Sequence, residues 1–110
     1  GAENVKKMFA LPYKIDGLFC ANDVVAIGAI KHLKTLHIKI PEDIAIVGFS
    51  NDSISSVIEP ALTTINQSGL EIGTAATSLL LDKVSNESIK NSHETIIIKT
   101  NLIKRKSSMR

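Results

Sequence analysis

Apolar residues recur along this chain in two rhythms, helical spacing and short unbroken runs, and the order of those rhythms predicts the fold. Between residues 3 and 11, Val5, Met8 and Phe9 fall at helical spacing. Pro12 ends that helix because it lacks an N–H and its ring clashes with the preceding turn. The run Leu18-Phe19-Cys20-Ala21 has strand length and no polar interruption, the pattern of a strand covered on both faces. Asn22-Asp23 follows, both residues suited to capping a helix, and the next segment places Val24, Ile27, Ile30 and Leu33 along one side. Val25, Ala26 and Ala29 widen that stripe beyond what packing on a sheet needs.

Residues 39–43 read as a turn around Pro41, and residues 44–49 as a second aliphatic strand ending in Ser50-Asn51-Asp52. A short helix over residues 53–58 stops before Pro60, and Thr63–Asn66 predicts a third strand. Gly69 opens a long amphipathic helix carrying Ile72, Ala75, Ala76, Leu79, Leu80 and Val84. Residues 85–92 predict a surface loop, and residues 95–99 a last strand running on through Leu102 and Ile103. Helices and strands alternate throughout, which predicts an α/β domain with a mainly parallel sheet flanked by helices.

Composition adds constraints without changing that picture. Aromatic residues make up 4% of the 110 positions and tryptophan is absent, so the core rests on Ile, Leu, Val and Ala. The formal charge of +2 is too small to mark the chain as a nucleic-acid binder. Lys99, Lys104, Arg105, Lys106 and Arg110 crowd the last stretch, where they read as a solvated tail. Cys20 is alone and sits in an apolar run, which fits a buried thiol in a reducing compartment, the cytoplasm. No apolar segment approaches bilayer length, and Gly1 in place of Met suggests a piece cut from a longer chain.

In open parallel sheets, ligands bind beyond the carboxyl ends of the strands. Two strands here deliver matching chemistry to that edge, Asn22-Asp23 after the first and Ser50-Asn51-Asp52 after the second. Amides donate and accept and carboxylates accept twice, so the pair suits a hydroxyl-rich small molecule such as a sugar. Helix capping explains the same residues, and an Asp that caps can still present its second oxygen. Catalysis finds little support: there is no phosphate loop, no dinucleotide fingerprint and no Cys or His pair at metal spacing. His32, His37 and His93 are scattered, and Asp16 and Asp23 have no nucleophile beside them. The chain reads as a non-enzyme needing neither cofactor nor metal.

Four blocks then combine. Asp16-Gly17-Leu18-Phe19-Cys20-Ala21-Asn22-Asp23 leads to Ala26-Ile27-Gly28-Ala29. Ile40-Pro41-Glu42-Asp43-Ile44-Ala45-Ile46-Val47-Gly48-Phe49 and Pro60-Ala61-Leu62-Thr63-Thr64-Ile65-Asn66-Gln67 follow in line. Their order and spacing resemble the C-terminal part of the effector-binding domain of LacI/GalR (lactose-repressor and galactose-repressor) family regulators. The resemblance implies a partial periplasmic-binding-protein-like (type I) domain, truncated at its N-terminal side. Residues 1–62 would belong to the C-terminal lobe. Residues 63–99 would form a crossover strand, helix and strand of the N-terminal lobe, and residues 100–110 a return segment and basic tail.

It further implies an effector-sensing fragment of a transcriptional regulator, responding to a sugar or nucleoside-like metabolite. Operator DNA would be read by a helix-turn-helix outside this chain. By position Asn22 matches the family's ligand-contacting asparagine, while Ser50 stands where the family most often has an effector-binding aspartate. With that carboxylate missing, Asn51 or Asp52 takes a share of the work, Asp23 stands beside Asn22 as a further ligand candidate, and Gln67 lies at the crossover between lobes. The family's effector-holding arginine belongs to the absent part. Homodimerisation is implied through the helix after Asn22 and the short helix before Pro60, making Ile27, Ile30, Lys31, Ile54, Val57 and Ile58 interface candidates, with core packing the competing role for Ile30. Truncation would also expose strand edges, inviting an intertwined dimer. The alternative within the same fold is a periplasmic sugar-binding protein of a transporter.

Overall fold

A computed structural model of the chain describes residues 2–86 and 93–110. Its elements are α1 (Ala2–Phe9), β1 (Gly17–Phe19), α2 (Asp23–Thr35), β2 (Ala45–Phe49), α3 (Ile54–Val57), β3 (Thr63–Asn66), α4 (Gly69–Ser85), β4 (Asn101–Ile103) and a 3-10 turn at Lys106–Ser108. The strands form one sheet in the order β1-β2-β3-β4. The first two pairings are parallel and β3 with β4 is antiparallel, so the sheet is mixed and mainly parallel.

The chain divides into two compact units, residues 1–66 with 101–110, and residues 67–100. The first holds the whole sheet. Thr63–Asn66, expected to open the crossover into the other lobe, is hydrogen-bonded into this sheet between β2 and β4. Val5, Ala26, Ala29, Ile30, Leu33, Ile44, Ile46 and Leu62 form one core cluster with Cys20. Leu33, Ile46 and Leu62 are fully buried, and each such side chain stabilises the fold by about 1.5–3 kcal/mol.

β2 alternates half-buried and buried positions, whereas β1 lies at the sheet edge with Phe19 61% exposed. The expectation that both strands are covered on both faces is therefore corrected for β1. An edge strand has one neighbour, and its unbroken apolar run does not report which faces are covered.

The expected solvated tail is also corrected. Ser107 is fully buried, and its Oγ accepts from Thr63 N at 2.8 Å and donates to the Ile46 carbonyl at 2.6 Å, bridging β2 to β3. Thr63 Oγ1 donates to the Arg105 carbonyl and accepts from Arg105 N, both at 2.8 Å. Arg110 donates through Nε to the Pro41 carbonyl at 2.9 Å. Lys99, Lys104, Lys106 and Arg110 of this stretch are exposed, Arg110 while still bonded to the Pro41 carbonyl.

The second unit contains α4, which starts at Gly69 as the pattern predicts, with Ser68 Oγ accepting from Glu71 N at 3.4 Å. Ile72, Ala75, Ala76 and Leu79 of its apolar face line a cavity with Ile96 and Ile98. Residues 95–99 form no strand; the last strand is Asn101–Ile103. A ladder needs a neighbouring strand, which residues 95–99 lack among the described residues. Most of the expected loop, residues 87–92, lies outside the described residues.

Candidate functional site

Adjacent parallel strands deliver their carboxyl ends to one edge, and the register Phe19↔Val47 brings Asn22 and Ser50 to the same rim. That placement is what a shared ligand site requires. Had the strands run antiparallel, the two polar clusters would sit at opposite ends.

Asn22 is the N-cap of α2: its Oδ1 accepts from Val25 N at 2.8 Å, as residue type and spacing predict. The cap uses only the oxygen. The exposed Asn22 amide nitrogen makes no hydrogen bond among the described residues and is placed to donate outward.

Asp23 behaves differently from its neighbour. It is fully buried, and both carboxylate oxygens are occupied: Oδ1 accepts from Thr64 Oγ1 at 2.6 Å and Oδ2 from Asp52 N at 2.8 Å. Its candidacy as a ligand residue is corrected on this geometry, since no oxygen is left facing outward. Gly48 makes the burial possible. A Cβ there would lie 2.2 Å from Asp23 Oδ1 and 3.0 Å from a methyl of Leu62. A glycine inside a strand marks a close approach, and that was the signal in the sequence.

Ser50 and Asn51 sit in the left-handed half of backbone space, with φ of 112° and 54°. Asn tolerates that region while Ser gains little there, so the turn is held by its surroundings. Ser50 N donates to the Ile65 carbonyl at 2.9 Å and Asn51 N to Thr64 Oγ1 at 3.2 Å. The Asn51 side chain is engaged at both ends: Oδ1 accepts from Arg105 NH2 at 2.9 Å and Nδ2 donates to Asn66 Oδ1 at 3.3 Å. It shapes the rim with little left to offer a ligand. Asp52 is exposed, and its carboxylate has no partner among the described residues. Gln67 falls in the second unit.

Arg105 is the residue that sequence reasoning missed. Besides Asn51 it donates from NH1 to Ser55 Oγ at 2.9 Å and to the Leu62 carbonyl at 2.8 Å. Its partners lie 42–54 positions away, beyond any local pattern.

Beneath the rim, Cys20 is 5% exposed, and burial pushes its thiol pKa above the ordinary value. Among the described residues no group of three or more His, Cys, Asp or Glu is placed to hold a metal. No helix among them is long and apolar enough to cross a membrane.

Of the interface candidates, Ile54 is 45% and Val57 75% exposed, Lys31 is exposed, and Ile27 and Ile58 are half-buried. Ile30 is 3% exposed and belongs to the core, which corrects its place on that surface. Val24, 67% exposed, joins the apolar positions there. α2 and the α3 segment are tied at both ends, by Asp23 with Asp52 and by Lys34 Nζ donating to the Glu59 carbonyl.

Comparison with known proteins gives a consistent picture. The family described as "Periplasmic binding protein-like domain" matches residues 2–108. The HTH-type transcriptional repressor CytR of Escherichia coli (strain K12) is 37% identical over 89 residues, which are 81% of this chain and 26% of that protein. A LacI family transcriptional regulator from Enterococcus faecalis V583, solved with bound ribose, superposes with a TM-score of 0.83 at 29% identity, covering 97% of this chain and 39% of that one. The lac repressor dimer bound to operator and the anti-inducer ONPF gives a TM-score of 0.85 at 25% identity, over 99% and 37% respectively. The chain thus spans about a quarter of the curated relative and under two-fifths of the solved chains.

Proposed function

Because the chain belongs to the periplasmic binding protein-like family, within its LacI/GalR branch, we propose that it is the effector-sensing and dimerising part of a transcriptional regulator. The effector is a sugar or nucleoside-like metabolite. The observation that carries this reading is the common rim: Asn22 directs a donor outward one strand away from Ser50. A neutral amide, a serine and the Asp52 carboxylate suit hydroxyls better than phosphates. The relative solved with ribose supports a polyol ligand of that size.

In this reading the first unit is the C-terminal lobe and Gln67 opens the passage into the second, part of the N-terminal lobe. Effector binding shifts lobe geometry, and a helix-turn-helix outside this chain converts the shift into operator affinity in the cytoplasm. A sensor needs no catalytic group. The repressor name of the curated relative speaks against a transporter's solute-binding protein.

Asn22 allows a sharp test in the full-length regulator. Asn22→Asp keeps the capping oxygen and removes the outward amide donor, whereas Asn22→Ala removes both. Thermal-shift titration with ribose, cellobiose and a nucleoside should show a ligand-raised melting point for the wild type. Asn22→Asp should keep the ligand-free melting point and lose the shift, and Asn22→Ala should lose about 1 kcal/mol of stability as well. A full shift in Asn22→Asp would overturn the assignment of this residue.

A further inference from the structure

We propose that Arg105 is a positioning residue for the effector rim: its guanidinium sets the Ser50-Asn51 turn in the conformation that meets ligand. The proposal rests on the reading of that rim as the effector site. Three segments, already linked by Leu62 N to the Ser55 carbonyl and by Ser55 to the Asp52 carbonyl, also converge on this one side chain. They are the turn after β2 through Asn51 Oδ1, the buried Ser55 of α3 through Oγ, and the entry to β3 through the Leu62 carbonyl. A planar fork with five donors serves three acceptors in fixed directions; a lysine ammonium on a flexible stem does not.

The guanidinium adds a side-chain brace to a turn whose backbone is held by Ser50 N on the Ile65 carbonyl and Asn51 N on Thr64 Oγ1. Ser50 and Asn51 both have positive φ, and sidedness matters: Asn51 is fixed through its oxygen by Arg105 and through its nitrogen by Asn66. Without the guanidinium, Asn51 Oδ1 loses its charged donor, and the side chain is held only by the longer bond from Nδ2 to Asn66, which loosens the turn. Ser50, covalently next to it, moves with it. Arg105 is itself anchored, since its backbone N–H and carbonyl both bond Thr63 Oγ1. It therefore acts on ligand through Asn51 and Ser50 without touching it.

Arg105→Met, Asn51→Ala, the double variant and Leu33→Ala in the full-length regulator provide the test. Two measurements are needed: amide hydrogen exchange of residues 50–52 without ligand, and the Kd for ribose and a nucleoside. Arg105→Met should speed exchange at residues 50–52 about tenfold and weaken binding about tenfold. The double variant should bind no worse than either single one, because both break the same connection. Leu33→Ala, a truncation in the buried core that touches none of these bonds, should lower the melting point and leave Kd unchanged.

Unchanged exchange in Arg105→Met overturns the proposal, as does faster exchange with an unaltered Kd or strictly additive losses in the double variant. A wild type that binds none of the probes while the exchange contrast persists removes the effector reading instead, and with it the role of Arg105 in binding.

Discussion

Replacing Asp23 by Ala would strand two donors in the interior, the Thr64 hydroxyl and the Asp52 N–H. Each unsatisfied buried group costs about 1–3 kcal/mol, so urea denaturation should show a loss of roughly 2–6 kcal/mol. Gly48→Ala meets the same carboxylate from the other side and should cost about 1–3 kcal/mol by overpacking. Cys20 adds a pH dependence of known sign. Its folded pKa is raised by burial, so folding favours the protonated thiol. The contribution is intact below the ordinary thiol pKa and is lost as pH rises towards the raised folded value, where the unfolded chain ionises first. Denaturation midpoints of Cys20→Ala and wild type should therefore converge on the alkaline side. At this scale the sequence was half legible. Asn22 announced its cap because capping acts over three residues, but the inward turn of Asp23 depends on a gap created 25 positions later by Gly48.

Elements were read better than their surroundings. β3 falls at the predicted residues, α4 starts at the predicted glycine, and α1 ends ahead of Pro12. Their causes are local: a proline, a cap, an apolar period. What failed needed knowledge of neighbours. The exposed face of β1 depends on which strand lies beside it, and residues 95–99 form no strand for want of one. The stretch 104–108 looked solvated because charge masks a buried serine between the lysines and arginines. Ser107→Ala should unpair Thr63 N and the Ile46 carbonyl, costing about 2 kcal/mol, with faster exchange along the β2/β3 ladder as the readout.

For the whole molecule, α/β architecture followed from alternation alone, and the resemblance supplied the family that the comparison bears out. Self-association is the property that belongs to this scale. If Val24, Ile54 and Val57 meet a second copy as proposed, Val57→Asp in the full-length regulator should weaken dimerisation by at least about 2 kcal/mol. Analytical ultracentrifugation would show it. A dimer of unchanged strength would place the interface elsewhere.

Arg110 reaches back to the carbonyl of Asp16, 94 positions away, and Ser107 bonds Ile46 across 61. Contacts of such span come together only after large loops have closed, and loop closure is the slow, entropically uphill stage of assembly. The sheet's neighbours in space are thus among the last to meet in time. Refolding of this unit should be slower than that of a helical bundle of the same length, with early intermediates showing their strand edges to any chaperone or sister chain at hand.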